Sequence, residues 1–306
     1  MLSILVPIYN YNVYPLVLEL HRQSLESNIV FEIIVIDDGS NSEINEENNS
    51  INLLENCFFT PLNKNIGLSS NRNLLASKAK YINLLFIDGD SVIIKPNYVK
   101  DFIDADAIEN VDIIYGGRVH PETVFSSNQK LRWKYGRTIE DKTATRRNSA
   151  GYITLMFNNT LIKKDCFNQI KFDENLTKYG HEDTLFAYQA SLSNLRVKHI
   201  DNPIEHSDID ESSIFISKVK NSLDNLNLID LEHKIDPNFV KILRLYHFFK
   251  KYKLNFVVAS FYILLNKMLY KQLISNNPSL FLFNAYRIGY LCSLNQKKST
   301  LFDPNE

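Results

Sequence analysis

Cysteine is scarce. Cys57, Cys166 and Cys292 are the only three in 306 residues, too few and too widely spaced for a disulfide scaffold or a cysteine zinc site. That scarcity implies a reducing, cytoplasmic setting. Long hydrophobic runs are missing as well: nowhere are about 18 apolar residues uninterrupted, so no transmembrane helix is expected. The opening MLSILVPIYN lacks a basic flank and soon meets Pro7, so it reads as a buried strand, not a signal peptide. Glycine thins out toward the end, with eight of nine at or before Gly180. Between Asn238 and Lys298 there is no acidic residue, against ten Lys or Arg. The rest then holds 24 basic and 35 acidic residues, although the whole chain is only −1. Such asymmetry points to an end of the molecule that meets an anionic surface.

What is present is ordinary globular material, 44% apolar and 23% charged, enough for a sizeable core. Ser3–Ile8, Glu32–Ile36 and Ile82–Ile87 are short continuous apolar runs, as strands covered on both faces require. Helical spacing fills Pro15–Leu25 and Leu68–Ala79; in the second, Leu68, Arg72, Leu75 and Ala79 share one face. Strand–helix alternation of this kind predicts an α/β fold with a mostly parallel central sheet flanked by helices. The Gly-poor, amphipathic stretch from residue 213 predicts a helical C-terminal extension. The expected division is 1–212, with halves 1–115 and 116–212, followed by 213–306.

Each predicted strand runs into a polar cluster: PIYN at 7–10, DDGS at 37–40 and DGD at 88–90. Open α/β sheets bind ligands beyond the carboxyl ends of their strands. A carboxylate there often does no more than cap the next helix. Two of them in a D-x-D turn, Asp88 and Asp90, put hard oxygens on one small loop, suited to Mg²⁺ or Mn²⁺ held together with phosphates. Gly89 lets that turn close. A third pair, Glu182-Asp183, follows Gly180 and opens a predicted helix, where the dipole favours acids.

The ordered series VPIYN, EIIVIDDGS, NKNIGLSSNRN, LLFIDGD and GHEDTLF, over about residues 1–210, resembles the family-2 glycosyltransferases of GT-A fold, especially bacterial members that build surface glycans. The resemblance implies inverting transfer from a nucleotide-sugar donor, a UDP-sugar by preference, to a hydroxyl of a glycan or lipid-linked acceptor. It places Pro7, Tyr9 and Asp38 in the nucleoside pocket, and Arg72 on the base and pyrophosphate. It puts Asp88, Gly89 and Gly117 at ribose or donor sugar, with Asp90, Asp88 and His206 on Mn²⁺ or Mg²⁺. Asp183 becomes the general base, with Glu182 beside it. One base suffices, because a metal-neutralised diphosphate leaves without an acid, whereas a hydrolase needs a bracketing carboxylate pair.

Weaker candidates have bland alternatives. Gly116-Gly117-Arg118 reads as a sugar wall or a plain turn. Arg146, Arg147 and Asn148 read as a contact to diphosphate or acceptor or, more simply, as a solvated basic loop, Trp133 as an acceptor platform or core, and His181 as a binding aid or part of its turn. Competing functions are a catalytically inactive sugar- or nucleotide-binding scaffold and a sugar-phosphate nucleotidyltransferase. The second lacks its Gly-rich phosphate loop here, as a dinucleotide oxidoreductase lacks G-x-G-x-x-G. No nucleic-acid partner is expected. The basic, apolar segment 238–298 suits an anionic membrane surface, giving a peripheral position at the inner face of the cell membrane, or else a packed helical subdomain.

Overall fold

The structure, a computed structural model, describes residues 1–108, 111–124 and 126–294. The chain divides into two compact units. The first comprises Met1–Pro121, Ile139–Thr177 and Glu182–Asp208; the second comprises Glu122–Thr138, Lys178–His181 and the residues from Ile209 on.

The chain opens with β1 (Leu2–Ile8), α1 (Tyr14–Glu26), β2 (Phe31–Asp37), the short α2 (Ile44–Asn48), β3 (Cys57–Pro61), α3 (Leu68–Lys78) and β4 (Asn83–Ile87). Next come β5 (Ser91–Ile93), α4 (Tyr98–Ile108), β6 (Ile113–Tyr115), β7 (Arg118–Val119) and α5 (Lys130–Tyr135). The first unit resumes with α6 (Ala144–Ala150), β8 (Asn159–Lys163), α7 (Lys164–Ile170), α8 (Glu182–Leu192), β9 (Val197–His199) and β10 (Ile204–His206). Its main sheet runs β3-β2-β1-β4-β8-β6-β9, parallel throughout except for β8, which is antiparallel to both neighbours. Every residue of β1 and β2 is buried, as their unbroken apolar runs require. Leu16, Val17 and Leu20 of α1 share a core with Ile4, Val6, Ile33 and Val35. The three predicted strands match β1, β2 and β4 to within a residue at either end. On α3 the predicted face is buried at Arg72, Leu75 and Ala79.

Strand β8 has no counterpart in the sequence reading. The apolar run before it, Tyr152–Phe157, begins in a 3-10 turn (Gly151–Thr154), while NTLIK itself carries few apolar residues. Polar Asn159 is nonetheless fully buried, because it is saturated: it accepts from Tyr98 Oη (2.6 Å) and donates to the carbonyls of Gly117 (2.7 Å) and Asn202 (2.9 Å).

Two local features open the strand ends. The β1–β4 ladder stops at Leu5↔Phe86, short of Pro7, whose missing N–H cannot extend it, while β1–β2 pairing continues to Ile8↔Asp37. Gly89 then packs against β1 where any side chain would strike Ile8 Cγ2. A second, three-stranded sheet, β5-β10-β7, sets His206 opposite Ser91.

The second unit contains α5, α9 (Ser212–Leu231), α10 (Lys241–Lys251), α11 (Asn255–Leu273) and α12 (Leu280–Leu294). Leu131, Phe215, Ile216, Leu269, Leu273, Phe283 and Tyr286 form its core. On α10 the buried positions are Leu243 and Tyr246, and Leu245 is exposed. Among the described residues no helix is long and apolar enough to cross a membrane.

Gly39, in the turn after β2, has φ +74° and stands against the backbone of Lys64 and Asn65, with Asn65 N 2.6 Å from where a Cβ would lie. Gly39→Ala should therefore cost about 1–3 kcal/mol of stability, measured by urea denaturation.

Candidate active site

The site is built at the carboxyl ends of β1, β2 and β4, all in the first unit, and its centre is a buried arginine. Arg72 stands one turn into α3 and is 1% exposed. Its Nη1 donates to Asp183 Oδ1 (2.8 Å) and its Nη2 to Asp88 Oδ1 (3.0 Å); Glu182 Oε1 is 3.9 Å from Nη1. The ring of Phe172 lies 5.2 Å from the guanidinium carbon. A buried guanidinium is tolerated only when paired in this way, and its planar fork reaches two carboxylates that a lysine could not bridge with the same geometry. Arg72, expected on the nucleotide base and pyrophosphate, is the clamp between two acids.

Asp183 enters from the first turn of α8, which follows the left-handed residues Gly180 and His181. Its Oδ2 also accepts from the backbone N–H of Phe157 (3.1 Å), so both oxygens are oriented. Each keeps a second lone pair. The side chain is part exposed. Its neighbour Glu182 is buried, and its Oε2 has no hydrogen-bond partner among the described residues. Burial, with Asp183 adding to it and Arg72 opposing, pushes the Glu182 carboxyl up to about 7. Three carboxylates face one guanidinium, and burial favours the protonated form of Glu182.

Asp90 Oδ2 lies 3.2 Å from His206 Nδ1, both side chains part exposed, because the β5–β10 register brings His206 beside the DGD turn. Among the described residues no set of three or more His, Cys, Asp or Glu is arranged to hold a metal. The pair nevertheless fits a divalent cation of the Mn²⁺ or Mg²⁺ kind, which takes one or two protein ligands and completes its shell with phosphate oxygens and water. Asp88, expected on both donor and metal, accepts from Arg72 Nη2 at Oδ1 and stays part exposed.

Other expected residues fall as follows. Asp38 is buried, and its carboxylate accepts from the N–H groups of Ile66 (2.7 Å) and Gly67 (3.0 Å). Burial raises its pKa and those two bonds pull it down. It therefore shapes the NIG turn. Pro7 is buried in β1, while Tyr9 just beyond it is 55% exposed. Gly117 lies beneath the Arg147 guanidinium, so its missing side chain makes room for that arginine. Arg147 is itself buried, donating to the carbonyls of Gly116 (3.0 Å) and Ile200 (2.5 Å), and is no solvated loop residue; Arg146 and Asn148 are exposed. Trp133, on α5, and His181 belong to the second unit; burial, with Arg287, pushes the His181 imidazole down to about 3.

A cluster behind His206 escaped the sequence reading. The His120 ring stands edge-on to His206, centroids 5.5 Å apart, and its Nδ1 is 2.6 Å from Asp141 Oδ1. Glu140 Oε2 pairs with Arg118 (2.7 Å) and lies 3.4 Å from His120 Nε2. The only sequence signal was a histidine three residues past Gly117 and the acids of IED at 139–141.

Removing the clamp should be severe. Arg72→Met leaves two facing carboxylates unpaired, and a loss of about 3–5 kcal/mol is expected in urea melts. Glu182→Gln should act in the opposite direction and depend on pH. The folded state prefers protonated Glu182, so its stabilisation is present at low pH and is lost as pH rises from its ordinary 4.5 through about 7. The Gln variant should thus melt several degrees above wild type at pH ~8 and near it at pH ~5.

Comparison with known proteins gives the family and the fold. The model of glycosyl transferase family 2 matches residues 3–170. No curated protein matches the sequence. Among solved structures, S. aureus TarS 1–349 shares 17% identity over 97% of this chain and 91% of its own, with TM-score 0.53. Its complex with UDP-GlcNAc gives TM-score 0.52 at 17% identity, covering 97% of this chain and 92% of that one. The mannosyltransferase PcManGT from Pyrobaculum calidifontis, in complex with GDP-Man and Mn²⁺, shares 12% identity over all of this chain and 88% of its own, with TM-score 0.55. Of another S. aureus TarS structure the chain spans 43% of the length. The likeness establishes the GT-A architecture: a mostly parallel sheet flanked by helices, with C-terminal helices. With a matching model over more than half of its length, the chain belongs to glycosyl transferase family 2.

Proposed function

We propose that the protein is an inverting glycosyltransferase that moves a hexose from a nucleotide sugar to a hydroxyl of a glycan or lipid-linked acceptor. The observation that carries this reading is the Asp183–Arg72–Asp88 clamp beside the Asp90–His206 pair, at one edge of the sheet. In the proposed reaction the acceptor oxygen attacks the anomeric carbon as the bond to the donor's diphosphate breaks. The hydroxyl proton passes to Asp183. Arg72 and the Phe157 N–H hold that carboxylate still, which restricts the base to orientations that favour transfer. Asp90 and His206 would hold a divalent cation, which neutralises charge on the departing diphosphate when bound. Asp88, part exposed, faces the donor sugar or ribose from the other end of the clamp.

A UDP-sugar is the proposed donor. The exposed ring of Tyr9 offers a base a flat surface at the end of β1, and the shaped NIG turn below Asp38 borders the same edge. The UDP-GlcNAc complex of TarS supports uridine, and the GDP-Man complex of PcManGT supports Mn²⁺ as the metal.

The test is nucleotide release from a panel of UDP-, GDP- and dTDP-sugars with Mn²⁺. One donor class should turn over, and excess EDTA should stop it. Asp183→Asn should lower turnover about 10²–10⁴-fold with little change in donor affinity. Near-normal turnover in that variant, or full activity in EDTA, would overturn the assignment.

A further inference from the structure

One face of α11 is uncovered in a way its neighbours are not. The helix packs through Ala259, Leu269 and Leu273, with the Tyr262 ring 5.2 Å from that of Tyr286 on α12. The opposite side leaves Phe256, Val257, Phe261, Ile263, Leu264 and Met268 about half to three-quarters exposed. At about 100° per residue, these six with Ser260, Lys267 and Lys271 occupy one continuous arc of roughly 160°, centred near Leu264. A shallow groove of ≈ 350 Å³ runs along Phe256, Val257, Ser260, Phe261 and Leu264. An exposed apolar face from Phe256 to Met268, roughly 18 Å along the helix, marks an interaction surface.

Charge decides what covers it. From Asn238 to Leu294 there are eight Lys or Arg and no acid. Lys250, Lys251 and Lys253 immediately precede the helix, and Lys267 and Lys271 stand exposed within its apolar arc. Phe248, Tyr252 and Leu254 are exposed among the first three. A second copy of the chain is a poor occupant. Parallel self-pairing sets Lys267 and Lys271 against themselves, and antiparallel pairing about Leu264 sets them against Phe261 and Val257. Either way ammonium groups are buried without a partner. A lipid interface satisfies both chemistries, because lysine stems lie along the apolar boundary while their heads reach phosphates.

We propose that α11 is an in-plane anchor that seats the second unit on an anionic bilayer surface. Phe256, Val257, Phe261 and Leu264 enter the acyl boundary, and Lys267 and Lys271, with the Lys250–Lys253 cluster, pair with headgroup phosphates. The helix lies on the membrane and does not cross it. Binding requires no sugar donor, so this proposal stands or falls apart from the transferase reading.

Sedimentation of the full chain with phosphatidylcholine vesicles, with and without phosphatidylglycerol, tests it. The protein should pellet with the anionic vesicles at low salt, stay in solution with neutral ones, and be released by high salt. Two exposed-site double variants, Phe261→Ser with Leu264→Ser and Lys267→Glu with Lys271→Glu, should each weaken binding about tenfold or more, with circular dichroism unchanged. Equal recovery in the supernatant with both vesicle types, or wild-type binding by either variant, overturns the proposal. So does light scattering that shows a dimer which the Phe261/Leu264 variant turns into a monomer.

Discussion

Arg72 is the one charged group that the active-site half of this molecule is built around. A guanidinium at 1% exposure must be compensated, and here the compensation comes from Asp88 after β4 and Asp183 at the start of α8, residues about a hundred positions apart. Pairing them through one rigid fork couples the DGD turn to the carboxylate that would accept a proton. Orientation is thus fixed before any substrate arrives, which is where a base in a transfer reaction gains most. The excess of carboxylates over guanidinium is resolved by Glu182, buried and raised toward neutrality.

The sheet gives this clamp its place. Pro7 ends the β1–β4 ladder early, Gly89 closes the DGD turn onto β1, and Asp38 organises the NIG turn from below. The three small strands then return His206 to Asp90 across the β5–β10 pairing. Behind His206, a buried histidine and two acids form a polar wall, so the imidazole is backed by charge and not by apolar core. Polar groups this deep are held at low cost only because each meets a partner.

The second unit follows a different logic. Its core is aromatic and aliphatic, and from Asn238 to Leu294 its helices carry Lys and Arg with no acid, while Asp210, Asp224 and Asp230 before that stretch pair with Lys218, Lys178 and His247. The charge that the first unit holds as carboxylates at strand ends is matched in the second by cations on helix surfaces. A nearly neutral whole hides this separation of charge.

Local pattern determined much of this protein. Unbroken apolar runs located β1, β2 and β4, helical spacing located α3 and its buried face, and carboxylates after strands marked the crevice. These are short-range properties, legible because burial on both faces or on one stripe writes itself into consecutive residues. Ordered motifs carried the family as well. Tertiary structure alone decided the roles. Sequence spacing cannot say that Arg72 faces inward to two acids, that Asp38 spends its oxygens on backbone N–H groups, or that Arg147 fills the space beside Gly117. Nor could it find β8, whose polar Asn159 is buried because distant groups satisfy it, or the His120–Asp141 pair behind His206. Each depends on contacts between residues far apart in the chain. Which partner a polar side chain meets is set by chain packing, and only that packing determines whether a charge binds substrate or holds the fold together.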